Sequence, residues 1–411
     1  MHRSLLSTVV VSAAIVAAAA ARADTGPRTI DEAALIAAIE SADPRIERRA
    51  SDVDAARAEV LAAGVRPDPT IAFDREEVFG EDGSVPTSYL RVVWPLDVSG
   101  RRGRRVAAAR VGVAAAKADV AATTLALVVE GVRVFRQAAY ARLRVELLAA
   151  ERGALARAVE IVRRRAGAGD AAGYEVRRLE LELAAYDDLT ASAQIELQVA
   201  RRQLGAVVGD GELVDAAGEL PVPPAPALDE LLAGLFDHRG DYQAARLRRE
   251  AADADHRVAD RAWVPALSLT GGVMTADLGD ETAVGYVAGI SMSLPLFDRG
   301  AVGHARARAA RRAADAEVRI LERRVPAAVR LAHDVLVARI EQARHLATDQ
   351  LDHLDALLQA VETGYREGAA GIVELLDAHR AARDARLRAL ELRRDANLDE
   401  LELWLALGHR P

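Results

Sequence analysis

The residues that could do chemistry are scattered along this chain and do not form metal or catalytic motifs. Nine histidines stand at positions 2, 238, 256, 304, 333, 345, 353, 379 and 409, and no two are joined as HxH, HxxxH or HExxH. Metal ligation therefore lacks its usual spacing, and histidines on helix surfaces are the expectation. No nucleophile elbow, phosphate-binding loop or dinucleotide fingerprint occurs, so no catalytic or cofactor-binding residue is assigned and no enzyme is expected. Two carboxylates, Glu374 and Asp377, lie three apart and so share one face of a helix expected to begin after Gly371. Acidic residues near a helix N-terminus are stabilised by its dipole in any case. The run "GRRGRR" (100–105) places Arg101, Arg102, Arg104 and Arg105 where a strand gives way to a helix. They read either as a solvated helix start, which works against the macrodipole, or as contacts to lipid phosphates at a membrane boundary. "DREEVFGED" (74–82) and "DLGDE" (277–281) read as acidic hairpin tips.

The elements that must position these residues come in two copies. Pro95-Leu96 and Gly100 recur as Pro295-Leu296 and Gly300, an offset of 200, and Gly103 recurs as Gly303. Gly169 and Glu175 match Gly368 and Glu374, and Gly209 matches Gly408, all at an offset of 199. The turn residues stay in step although letter identity is low, as a tandem duplication predicts. Each copy reads helix, strand, strand, long helix, helix. The first helix is expected over about Ile30–Ala63 and its counterpart over Leu228–Trp263. Period-2 alternation follows in "SYLRVVWPL", "PALSLTGGV" and "YVAGISMSL", which puts Leu90, Val92, Ile290 and Met292 on apolar faces. Strands of about 9–10 residues have the length that a tilted strand needs to cross a bilayer. A proline-free stretch from Gly103 to about Arg165 predicts one long helix, and its counterpart, 303–367, is expected to kink at Pro326. The returns are expected over Ala172–Leu204 and Ile372–Leu407, with Gly169 and Gly368 at the hairpin tips.

These patterns divide the chain into a signal peptide (1–23), a first repeat (24–209), a proline-rich linker within a helical column (210–227), a second repeat (228–408) and a tail (409–411). Met1-His2-Arg3, the apolar run Leu5–Ala20 and the small-residue site Ala21-Arg22-Ala23 form a secretory signal. No later stretch has about 18 uninterrupted apolar residues, so no spanning helix is expected. The net charge is −8 from 54 basic and 62 acidic residues, which argues against nucleic acid as a partner. With no cysteine, an exported chain holds together without disulfides and offers no thiol for lipid attachment. Four strands cannot close a barrel, and an open sheet edge is not tolerated in lipid, so strands in a membrane would demand an oligomer.

This arrangement resembles the TolC-type outer-membrane efflux channels of Gram-negative bacteria over the whole mature chain. The most specific residues are "LPLFDRG" (294–300) and "GYREGAAGIVELLDAHR" (364–380), while "WPLDVSGRRG" (94–103) looks most like the branch serving heavy-metal pumps. The resemblance implies a mostly helical protomer with membrane β-structure, giving four strands to a trimeric 12-stranded outer-membrane barrel continued by a periplasmic α-helical tunnel. It implies a passive duct without cofactor. The partners would be a periplasmic adaptor (membrane fusion) protein, an inner-membrane pump of RND or ABC type that supplies the energy, and outer-membrane lipid. It also implies that Glu374 and Asp377 form rings of negative charge at the periplasmic entrance. The family's basic residue two positions after the tip glycine is Ala370 here. The reading from a different class is a soluble periplasmic coiled-coil scaffold or adaptor, which would not need four proline-bounded strands of membrane length.

Overall fold

The computed structural model describes residues 27–80, 83–209, 211–279, 281–297 and 299–410. The signal peptide expected at 1–23 lies outside them. In chain order the elements begin with β1 (Arg28–Ile30), α1 (Glu32–Ala42), α2 (Pro44–Gly64), β2 (Thr70–Gly80), β3 (Gly83–Leu96), α3 (Arg101–Ala168) and α4 (Gly173–Val208). They continue with β4 (Val214–Ala216), α5 (Leu228–Leu232), α6 (Gly240–Ala259), β5 (Ala266–Asp277) and β6 (Thr282–Ser293). The chain closes with α7 (Ala301–His345), a π-helical segment (Leu346–Gln350), α8 (Leu351–Glu367) and α9 (Ile372–Leu407). They form two compact units, each drawing on both halves of the sequence: one from Pro44–Thr123 and Gly234–Pro326, the other from the remainder.

The first unit holds an antiparallel sheet of order β2-β3-β5-β6. Residues directly opposite in antiparallel strands share a face, so the register sorts the side chains into rows. One face carries Phe73, Leu90, Val273 and Tyr286 in one row, and Trp94, Leu269 and Ile290 in another. All seven are exposed, as are Val92 and Met292. The other face carries Asp74, Tyr89, Arg91, Ser268, Thr270 and Ser291. The "DREEVFGED" stretch is mostly strand, not a hairpin tip. Its charges pair across to β3, with Asp74 on Arg91, Glu76 accepting from Tyr89 Oη at 3.3 Å and Glu77 accepting from Ser84 Oγ at 2.8 Å. The strands run 11–14 residues, longer than the alternation indicated, because these polar pairs and the flanking small residues extend the ladder.

Helices in the same unit are tied by close backbone approach and ion pairs. A Cβ on Gly240 would stand 2.7 Å from the Ala118 carbonyl oxygen and 2.9 Å from Ala122 N, so only glycine lets α6 begin against α3. Arg248 then reaches Asp119 at 2.6 Å, and Tyr242 Oη donates to Glu322 at 3.1 Å.

The second unit contains the parallel pair β1–β4, with Arg28 opposite Val214 and Ile30 opposite Ala216. Sequence periodicity had assigned Ile30 to a helix and 214–216 to a linker. Three-residue strands leave no period to detect, and only their pairing reveals them. Beside that pair sits the buried Arg136. Its guanidinium reaches Glu32 at 3.1 Å, Glu400 at 2.7 Å and the Asn397 carbonyl at 2.6 Å, with the Trp404 ring 5.1 Å away. Burial alone would lower its pKa, but the two carboxylates hold it above the ordinary arginine range.

Two helix expectations are corrected. The helix expected over 30–63 is broken at Asp43, which is held extended (φ −70°, ψ 119°) by the following Pro44. The helix expected over 228–263 breaks between α5 and α6, where Gly234 takes φ +64°. Pro326 lies inside α7, which is assigned as helix on both sides of it, and a π-helical segment follows 20 residues later. There the Thr348 hydroxyl donates to the Arg344 carbonyl at 2.9 Å, competing with the regular ladder. In addition, α3 contains an 18-residue window with a mean hydropathy of 1.5 and no more than two charges, most of it unburied in a single chain.

Candidate functional site: the paired helical hairpin tips

Both hairpin tips are closed by the same backbone device. α8 ends at Gly368 in the left-handed conformation (φ +79°); the Gly368 amide donates to the Tyr365 carbonyl and the Ala369 amide to Gly364 at 2.8 Å. α3 ends at Gly169 (φ +89°), with the Gly169 amide on Ala166 and the Asp170 amide on Arg165 at 2.9 Å. These are the paired bonds of a Schellman motif, and a Cβ at either glycine would be strained. The duplicated spacing of Gly169 and Gly368 thus encodes one turn made twice.

The helices that follow start alike but spend their acidic residue differently. Glu374 and Glu175 are both the third residue of their helices. The Glu374 carboxylate turns back to accept the Gly371 amide at 3.1 Å, half of a capping box. Glu175 instead accepts the Tyr365 hydroxyl at 2.6 Å, which ties the first hairpin to the second. Tyr365 is buried, and burial followed by this bond pushes its phenol well above the usual range. Arg165 completes the joint, bonding the Tyr365 carbonyl with its guanidinium 5.0 Å above the Tyr365 ring. Leu155, Val159, Val162, Leu179, Ile372 and Leu376 pack beneath as one apolar cluster.

Glu374 and Asp377 are both exposed, on the side of α9 opposite buried Ile372, Leu375 and Leu376. The corresponding place on α4 holds exposed Arg178, so the two tips differ in charge. One turn deeper, buried Glu182 accepts from Arg380 at 2.9 Å with Arg383 at 3.8 Å, and the Arg380 bond holds the carboxyl below the ordinary range against the opposing effect of burial. Among the histidines, His379 corrects the expectation of a surface position. It is buried, with Nε2 3.4 Å from Glu362 but too misaligned for a hydrogen bond, and burial lowers its pKa.

Sequence reasoning missed Tyr365, Arg165 and Glu182. Glu175 appeared there only as a repeat marker, and nothing in its spacing signals a partner 190 residues away. Because the Tyr365–Glu175 bond involves a charged acceptor, Tyr365→Phe should destabilise the joint by about 1.5–3 kcal/mol. Hydrogen exchange of amides 173–176 and 365–371 checks this; unchanged protection would mean that apolar packing alone holds the tips together.

At the strand-to-helix turns, Gly100 and Gly300 take φ +66° and +98° a few residues beyond Pro95 and Pro295. Arg102 is engaged structurally, its Nε donating to the Gly64 carbonyl at 2.6 Å and its amide to Asp97 at 3.2 Å. Arg101 and Arg105 are exposed and Arg104 is half-buried.

Comparison with known proteins agrees with this architecture. Residues 233–409 match the family described as "Outer membrane efflux protein". The cobalt-zinc-cadmium resistance protein CzcC of Cupriavidus metallidurans is 25% identical over 373 residues, covering 90% of this chain and 87% of CzcC. The solved outer-membrane channel OprN superposes with a TM-score of 0.68 at 23% identity, covering 92% of this chain and 90% of that one. The solved structure of CusC gives 0.66 at 20% identity, with 94% and 95% covered. A soluble scaffold accounts for neither these matches nor an exposed apolar face on all four strands. The match over residues 233–409 and the near full-length similarity to CzcC identify a transport protein, an efflux channel of the outer membrane.

Proposed function

We propose that the channel acts as a homotrimer, three four-stranded sheets closing one 12-stranded barrel, and that it exports heavy-metal cations. The cargo would arrive from an inner-membrane pump of RND or ABC type through a periplasmic adaptor. The trimer is supported by the two sheet edges, β2 and β6, whose outer ladders have no partner among the described residues and would be costly in lipid. The cargo reading is supported by the similarity to CzcC, a cobalt-zinc-cadmium resistance protein. Arg101, Arg104 and Arg105 would meet lipid headgroups, while Arg102 braces the turn from inside.

The periplasmic constriction is assigned to Glu374 and Asp377, and the observation that carries it is their shared exposed face beside a tip closed by the Gly368 turn. Threefold symmetry would converge six carboxylates on one axis, a ring that attracts multivalent cations and discourages anions. Opening would draw the 364–380 hairpins apart, a shift between two states biased by the adaptor. In planar bilayers, Glu374→Ala combined with Asp377→Ala should abolish block by trivalent cations added on the periplasmic side and reduce cation selectivity. Unchanged block in an assembled double variant would move the constriction elsewhere.

A further inference from the structure

The turn from β6 into α7 gathers three side chains that no sequence motif joins. A Cβ on Gly300 would stand 2.7 Å from the Ala259 carbonyl oxygen and 2.9 Å from Ala262 Cβ, and one on Gly303 would stand 3.0 Å from Ala259 Cβ. The two glycines therefore let the first turn of α7 lie directly against the last turn of α6. His304 sits in that first turn, its amide donating to the Gly300 carbonyl at 2.9 Å. His256 and Asp260 are an i,i+4 pair at the end of α6, on one face of the helix. The approach places His304 Nδ1 3.3 Å from His256 Nε2, with the rings edge to face and their centroids 4.6 Å apart. Asp260 Oδ1 lies 3.5 Å from His256 Nδ1 and 3.8 Å from His304 Nε2.

We infer that His256, Asp260 and His304 form a binding site for a divalent transition metal of the zinc class. One ligand atom from each residue can be chosen so that all three lie within 4.8 Å of one another. Zinc–nitrogen bonds of about 2.0–2.1 Å in a tetrahedron put two ligands roughly 3.3–3.4 Å apart, which is the separation of the two imidazole nitrogens. Asp260 Oδ1 lies nearest the opposite nitrogen of each ring, so it becomes the third donor once the carboxylate or the imidazoles reorient, and the fourth position stays open to water. Two imidazoles and one carboxylate suit zinc, copper, nickel or cobalt, whereas magnesium and calcium prefer all-oxygen sets. A bound ion would staple α6 to α7 across Gly300, the residue at which the barrel-side chain becomes helix. All three ligands are partly exposed, so an ion can enter from solvent. The site rests on this geometry and not on the cargo reading, since a channel for organic cargo would hold the same ion here.

Isothermal titration of untagged, metal-stripped protein in detergent with Zn²⁺ tests the inference. One Zn²⁺ per chain is expected, and His304→Ala and His256→Ala should each weaken binding at least about tenfold, while His333→Ala leaves it unchanged. Loading with Co²⁺ should give the intense visible bands of four-coordinate cobalt, lost in His304→Ala. A measurement without substitution guards against misassembly: Zn²⁺ should protect His256 and His304, but not His353, from diethylpyrocarbonate. Absence of zinc binding, wild-type affinity in an assembled His304→Ala variant, or equal modification with and without Zn²⁺ would overturn the site and leave a bare imidazole–imidazole contact.

Discussion

Leu90→Arg is expected to cost about 2–4 kcal/mol of barrel stability, the penalty for arginine near the bilayer midplane on a lipid-facing position. Leu90 is eighth of the fourteen residues of β3, flanked across the sheet by Phe73 and Val273, so its row lies near the middle of the apolar face. The penalty depends on depth, which makes the comparison within one face informative. Met292, next to last in β6, should tolerate arginine at about 0–1 kcal/mol because the guanidinium can reach the interface. Ile290, one row further in beside Trp94 and Leu269, should fall between the two. Thr270→Arg on the opposite face should change assembly little. Heat resistance of the assembled protein on gels reads the order, and equal effects at Leu90 and Thr270 would mean that the assigned faces are wrong.

Arg136→Met should destabilise the helical unit by about 3 kcal/mol, the lower end of the range for breaking a buried ion pair. The methionine keeps the aliphatic stem but strands the carboxylates of Glu32 and Glu400 and the Asn397 carbonyl that the guanidinium satisfies. Both carboxylates retain some contact with water, which is why the upper end is not expected. Arg136→Lys should recover only part of the loss, because an ammonium cannot fork between Glu32 and Glu400. Thermal unfolding followed by circular dichroism checks the order wild type, Lys, Met.

The sequence displayed most of the elements because their signals are local. Ile372–Leu407 was legible to the residue, between Gly371 and a left-handed Gly408. The strand faces followed from alternation, and Gly169 and Gly368 from their spacing. What stayed hidden depends on contacts distant in sequence: Glu175 with Tyr365, Arg136 with Glu400, β1 with β4, and His256 with His304. The helix breaks were illegible for another reason. Asp43-Pro44 is a local stop that the Ala-rich periodicity on both sides masks.

The proposed channel requires four strands per chain to become a closed barrel of twelve. Strands β2 and β6 form the two edges, and they run antiparallel, so a β6–β2 seam between chains continues the order of the sheet. The chain has no cysteine, so a disulfide between introduced residues reports one seam. Ala72→Cys on β2 combined in turn with Gly285→Cys, Val287→Cys or Gly289→Cys on β6 scans the possible registers, since a disulfide needs Cα atoms about 4.4–6.8 Å apart. Oxidation in outer membranes should link one of these pairs into a covalent trimer with no larger species. Chains that stay monomeric in all three membrane-inserted variants, or a ladder running beyond three, would contradict the closed trimeric barrel.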